Sequence, residues 1–374
     1  MDAVAKASQH FQEELTDPTF CRKNYRKTIR KAKSSAKKSR FKVSSVVVAV
    51  RSRSGPAIRL VAFDAAFHEL IAPDAQVETV AEGGDLGMVP AGHFDYGASL
   101  ESPLWWREED CLLVSDIPQD RILRWSAKKG IDVYRQPSGH TNGLWRDPQG
   151  RLLMCEHSTR QVTRLETDGS LTVVMRSYRG RRLNRPNSVV VRSDGTIYWT
   201  DLRFRVDPLE DWDVDFEGVY MVSPDLATRT LLLRDLEAPH KLLFSTDERV
   251  LYLGQRQGIL AFDVQADDSN FGPARLNPAS RRWFWRAGEH GSVAPDGIKM
   301  DVRGNFYIGG RGGIWAISAD GRLLGHLDTG GLSTPNLCFG GRDGCDLFFV
   351  SNHGIYRVPV TVPGVPIPKS AGTP

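Results

Sequence analysis

Six stretches of this chain repeat one pattern, and the repetition limits the possible folds more than any other feature. In order they are "LESPLWWREEDCLLVSDIPQDRILRW", "HTNGLWRDPQGRLLMCEHSTRQVTRL", "RPNSVVVRSDGTIYWTDLRF", "APHKLLFSTDERVLYLGQRQGILAFDV", "APDGIKMDVRGNFYIGGRGGIWAIS" and "TPNLCFGGRDGCDLFFVSNHGIYRV". Each has a polar residue at a fixed point: Glu101, Asn142, Asn187, His240, Asp296 and Asn336. An apolar strand follows it, then a turn with Asp or Gly, a second strand, and in most copies a third. These points are 40 to 56 residues apart, the spacing of propeller blades. The strands are rich in Val, Ile, Tyr, Phe and Trp, as in "TIYWTD" and "DLFFVS". Turns such as "SDG" and "ADGR" carry residues that tolerate positive φ. The expected fold is all-β, a six-bladed β-propeller over residues 56–362. Segment 56–94 is expected to supply an outer strand that closes the ring, since an open edge is an aggregation liability.

The remainder of the chain is different in kind. Residues 22–53 hold 13 Lys or Arg and no Asp or Glu, so the formal charge of +4 belongs to this leader. With so little apolar content, residues 1–55 read as a disordered basic segment, and 363–374 as a Pro-rich tail. The propeller itself is mildly acidic, which argues against nucleic acid as its partner. The longest apolar run, "VSSVVVAV", is too short to span a membrane, and the N-terminal residues do not read as a secretory signal. Five scattered cysteines without a CxxC motif suit reduced thiols in the cytoplasm. Oligomeric state is not legible from these features.

In a propeller the first strand of each blade lines the axial channel, so six equivalent positions meet at one mouth. Here they hold two carboxylates, three carboxamides and a histidine. Asn and Asp are common at such positions because they cap turns, but six potential ligands together point to a divalent cation that relieves the repulsion between Glu101 and Asp296.

The residues also resemble a known group, the gluconolactonases, regucalcin (senescence marker protein) and luciferin-regenerating enzymes, over about 63–358. The segments "SDIPQDRILRW", "PSGHTNGLWRDPQGRLLMCEH", "LNRPNSVVVRSDGTIYWTD", "PDGIKMDVRGNFYI" and "NLCFGG" resemble the bacterial gluconolactonase branch. The resemblance implies one catalytic metal, calcium or zinc, held by Glu101, Asn187, Asp296 and the fourth-blade residue, His240. It further implies that Arg185, Asn142 and Asn187 contact substrate. The departures lie at the site: Ser102 stands for glycine in the E-G-P pattern, Ser188 for aspartate in P-N-D, and His240-Lys241 for the Asn-Gly of P-N-G-L. A coordinating imidazole would shift preference from calcium towards zinc or manganese; a His240 turned away would leave calcium with a water in its place.

The expected function is a metal-dependent lactone hydrolase acting on a small-molecule lactone or sugar lactone. The ion would polarise the carbonyl and activate water, with Glu101 or Asp296 as base. The substitutions keep two alternatives open. One is a metal-site enzyme with altered chemistry, an ester or organophosphate hydrolase or a secondary-metabolite isomerase; the other is a non-enzymatic binding propeller. Glu156, His157 and Asp201, which close second strands, are neighbouring candidates for the channel wall or plain strand-end hydrogen bonders. No G-x-S-x-G, H-E-x-x-H, P-loop or G-x-G-x-x-G motif supports another chemistry.

Overall fold

The computed structural model describes residues 46–50, 58–87, 100–203, 212–265, 275–288, 294–352 and 354–367. Apart from Val46–Val50, the basic leader falls outside them, as does the tail after 367.

Each repeat folds as one antiparallel sheet. Blade one comprises Leu100–Trp106, Cys111–Asp116, Arg121–Ser126 and Gly130–Arg135, and blade two Thr141–Arg146, Leu152–Glu156, Gln161–Leu165 and Leu171–Met175. Blade three comprises Arg185–Val191, Ile197–Leu202, Gly218–Val222 and Arg229–Leu233. In blade four, Lys241–Phe244, Val250–Gln255 and Gly258–Gln265 are followed by two short strands that both pair with the third. The first strands of successive blades are neighbours all the way round, and that of blade six also meets that of blade one. The ring is therefore closed with six blades, as the repeat spacing implies.

Closure uses the N-terminal segment twice. Glu78–Glu82 adds the outermost strand to blade six, beside Gly354–Pro359. Ile58–Ala62 adds to blade five beside Leu323–Ser333, and Val46–Val50 pairs with it in turn. Blade six thus joins the two ends of the propeller sequence by backbone hydrogen bonds. The chain after blade six then crosses to blade five, where Val302 N–H donates to Pro363 O and Val365 N–H to Met300 O.

Local chemistry sets the hairpins. In blades two and five the Asp147 and Asp301 carboxylates accept backbone N–H groups two and four residues on, and Gly150 and Gly304 follow at φ of +82°. A short acceptor side chain and a glycine free to turn left-handed fix the same turn each time.

Between blades the core is aromatic. Trp105 stacks on Phe348 across the blade-one/blade-six seam, with centroids 5.3 Å apart. Tyr198 meets Phe244, Tyr252 meets Phe306, and Tyr307 meets Phe339 across the next seams. Such pairs add about 0.5–1.5 kcal/mol each beyond area burial. Cys111, Cys155 and Cys338 are buried free thiols, and Cys345 is buried as well.

Candidate functional site

The inner strands bring their first residues to one end of the channel. Glu101, Asn142, Asn187 and Asn336 are all buried there, and Asp296 stands just ahead of the Ile298–Met300 strand with its side chain one-third exposed. The close approach of the strands depends on glycine at two places. A Cβ on Gly143 would lie 2.3 Å from the Asn187 carbonyl oxygen, and one on Gly297 would lie 2.7 Å from the Asn336 Cα. The "NG" and "DG" pairs therefore let blade two meet blade three, and blade five meet blade six, closely enough for the polar side chains to converge.

At the centre of the set is Lys241. Its Nζ donates to Asn187 Oδ1 at 3.1 Å, and to Asn142 Oδ1 and Glu101 Oε2 at 3.3 Å each. Asp296 Oδ1 is 3.9 Å away. The amine is buried with its stem, 4 % exposed. Blade three fixes this placement. Thr200 Oγ1 accepts the Ser188 N–H and donates to His240 O, while Ser188 Oγ accepts the Leu242 N–H. The His240 N–H donates to Gly254 O at 2.8 Å. Held on both sides, the strand turns Lys241 into the channel and leaves His240 on the rim, where its Nδ1 is 3.5 Å from Asp296 Oδ1.

The two carboxyls are pushed in opposite directions. Burial raises Glu101 above the usual range; Lys241 and the hydrogen bonds from Asn336 Nδ2 and the Ser102 N–H counter this only in part. Burial also acts to raise Asp296, but the hydrogen bond to His240 and the charge of Lys241 outweigh it and hold that carboxyl low. A pair of carboxyls separated in this way can divide acid and base roles. A second amine, Lys299, feels the charges of Lys241 and Glu101, and burial pushes its pKa down to about 8.

The other candidates are arranged around this centre. Asn336 turns its Nδ2 towards Glu101 and Ser102, while its Oδ1 accepts the Leu337 N–H. Arg185 begins the inner strand of blade three and acts electrostatically on His140, whose pKa is lowered by burial first and by Arg185 in part. The Glu156 carboxylate is taken up by Thr159, Gln161 and Thr163, the arrangement of a strand-end hydrogen bonder. Asp201 accepts the Asn184 N–H at 2.8 Å, beside blade three rather than at the centre; His157 is buried at the end of blade two's second strand. Sequence reasoning does not place Lys241 at the centre; its one signal is a lone lysine beginning an otherwise apolar strand, "KLLF".

Fold and site together define a six-bladed propeller with a polar axial centre built from one residue of each blade. Residues 100–353 match the family described as SMP-30/Gluconolactonase/LRE-like region, and the chain belongs to that family. A gluconolactonase of Zymomonas mobilis is 30 % identical over 280 residues, which cover 69 % of this chain and 77 % of that one. The solved structure of a gluconolactonase from Xanthomonas campestris, 27 % identical, gives a TM-score of 0.67 and covers 86 % of this chain and 100 % of that chain. A regucalcin from Agrobacterium tumefaciens, described as a calcium-binding protein, shares the fold with a TM-score of 0.58 at 17 % identity, over 73 % of this chain and 94 % of that one.

The family resemblance implies a metal, and the residues present can be tested against it. Glu101, Asn142, Asn187 and Asp296 offer the hard oxygens that calcium favours. Those oxygens, however, already surround an ammonium: an ion bonded to them at about 2.4 Å would occupy the volume of Lys241 Nζ. Among the described residues no three His, Cys, Asp or Glu side chains converge as a metal set. With Lys241 in place the site does not fit a divalent ion.

Proposed function

We propose that this protein is an enzyme that opens lactones by hydrolysis, with the axial centre as its active site and a small-molecule lactone as its substrate. Membership of the gluconolactonase family and the likeness to the Zymomonas enzyme support the substrate class. The observation that carries the reading is Asp296: an ionised carboxylate at the open end of a buried cationic centre, beside His240. Asp296 takes a proton from a water that attacks the lactone carbonyl. The ring C–O bond then breaks, and the proton passes to the departing alkoxide to give the hydroxy acid. Asn142 and Asn187 direct their Oδ1 atoms at Lys241, which leaves their NH₂ groups to donate to substrate oxygens, and Arg185 adds positive charge on the same strand as Asn187. Glu101, raised by burial, acts from beneath as an electrostatic neighbour.

The buried free thiols suit a reducing compartment and support a cytoplasmic location; no helix among the described residues is long and apolar enough to cross a membrane. The test is turnover of aldonolactones, aliphatic lactones and open-chain esters by the purified protein and by Asp296→Asn. Lactone opening that depends on Asp296 supports the reading. Turnover confined to open-chain esters would instead favour the alternative of altered ester chemistry, which the lysine at the centre motivates.

A further inference from the structure

We propose that the Lys241 ammonium is the resident cation of the axial centre and takes the place of a divalent metal ion. The donor inventory is the first argument. An ammonium has three N–H donors and no acceptor. All three are used, on Glu101 Oε2, Asn142 Oδ1 and Asn187 Oδ1, and Asp296 Oδ1 supplies a fourth oxygen neighbour, the second carboxylate, at 3.9 Å. One carboxylate from blade one and one from blade five, with carboxamides from blades two and three, thus act as a ligand shell for a side chain from blade four.

The second argument is burial. Lys241 and Glu101 have side chains only 5 % and 6 % exposed. Swinging Lys241 out to admit an ion would leave Glu101 buried without its countercharge and would break three hydrogen bonds, while the backbone on either side is pinned by Thr200 and Ser188. The third argument is charge. Adding a divalent ion beside a retained ammonium places like charges within a few ångströms in a shielded site, and Lys299 adds another amine nearby.

Lys241 is then a positioning residue. Its protons are committed to protein oxygens, so it holds the centre together and keeps a negative Asp296 at the mouth. Where it concerns hydrolysis, the inference rests on the lactonase reading; where it concerns cation binding, it stands apart from it.

The test is divalent-ion binding by calorimetry and by metal analysis after dialysis, using Ca²⁺, Zn²⁺ and Mn²⁺ each alone. The full-length protein is compared with Glu101→Gln, Lys241→Ala, Lys241→Met and Lys241→Ala/Glu101→Gln. The unchanged protein is expected to retain none of the three ions. Lys241→Ala, with its oxygens freed, is expected to bind one ion at least about 100-fold more tightly than the unchanged protein, as ligand charge and room dictate; the Glu101→Gln addition should abolish that gain. Lys241→Met, which fills the channel without charge, should stay empty. A single ion held by the unchanged protein and lost on Glu101→Gln overturns the proposal, as does a folded Lys241→Ala that binds no ion. If neither lysine variant folds, the unchanged protein decides alone: retention of one equivalent of metal refutes the proposal and metal-free protein upholds it. Lactone turnover by the unchanged protein should be the same with and without chelator; no turnover in either condition counts against the lactonase reading and leaves the binding result standing.

Discussion

His240 Nδ1 lies 3.5 Å from Asp296 Oδ1 across the gap between blades four and five, and both side chains reach the channel mouth, 29 % and 33 % exposed. This pair is the most open part of the axial centre, because Lys241 and Glu101 are buried beneath it. Removing the Asp296 charge should therefore lower kcat for a lactone by about 10²- to 10⁴-fold, the contribution of a positioned base. His240→Ala, which removes only the group that stabilises the charge, should cost less. Steady-state kinetics on both variants, with circular dichroism to show an intact fold, check this; equal kcat for Asp296→Asn and the unchanged protein would remove Asp296 from the chemistry.

Two glycines set the distance between neighbouring blades. Gly143→Ala places a methyl group 2.3 Å from the Asn187 carbonyl oxygen, a backbone atom that cannot rotate away. The strands must part, at a cost of about 1–3 kcal/mol typical of overpacking, and the Asn142 and Asn187 oxygens must move off Lys241. Gly84→Ala is the control, since a Cβ there meets nothing within 4 Å and should change stability by less than about 0.5 kcal/mol. Urea denaturation of both variants, with turnover measured on each, checks the contrast.

Ser102 has φ of +42°, in the left-handed region that favours glycine. The resemblance puts glycine at this point, and a serine holding this φ costs about 1 kcal/mol. Its N–H donates to Glu101 Oε2 at 3.1 Å, and that turn aims the carboxylate at Lys241. Ser102→Gly retains the N–H and relieves the strain. Against this stand a long hydrogen bond from Asn336 at 3.4 Å and the greater chain entropy of glycine. A net gain of about 0.5 kcal/mol is expected, read as a higher urea midpoint at unchanged slope; a lower midpoint would show that the serine hydroxyl matters more than the backbone.

Much of this architecture is legible because repetition is redundant. Six polar residues followed by six apolar strands indicate six blades even where single copies, such as "PHKLLFSTDE", are irregular. The closing strands are harder to place. Ile58–Ala62 and Glu78–Glu82 are single strands with no repeat of their own, so nothing local says which blade each joins. At the site, sequence names the residues but not their phase. His240 and Lys241 are adjacent, and which of them faces inward depends on hydrogen bonds with the preceding blade, where Thr200 Oγ1 donates to His240 O and Ser188 Oγ accepts the Leu242 N–H. A four-carbon stem then carries the Lys241 charge to the centre, a reach that no alignment column expresses.

Asp201 offers a prediction about pH. It is fully buried at the end of the second strand of blade three, where Oδ2 accepts the Asn184 N–H and Oδ1 has no hydrogen-bond partner among the described residues. Burial raises its pKa from the ordinary 3.8 to about 7, against smaller opposing effects of the Asn184 hydrogen bond and of Arg160. The folded protein thus keeps a proton at a pH where the unfolded chain has already lost it. The stabilisation is fully present below about pH 4 and is lost as pH rises through about 7. Each unit of difference corresponds to about 1.4 kcal/mol, so a few kcal/mol of stability should disappear across that window. Asp201→Asn keeps an oxygen for the Asn184 N–H and has no proton to lose. Its stability should therefore match that of the unchanged protein near pH 4 and exceed it increasingly towards pH 8. Denaturation midpoints of the two proteins measured from pH 4 to pH 8 supply the check: curves that diverge with rising pH agree with a protonated Asp201, and parallel curves would show that this carboxyl is ionised in the folded state from the start.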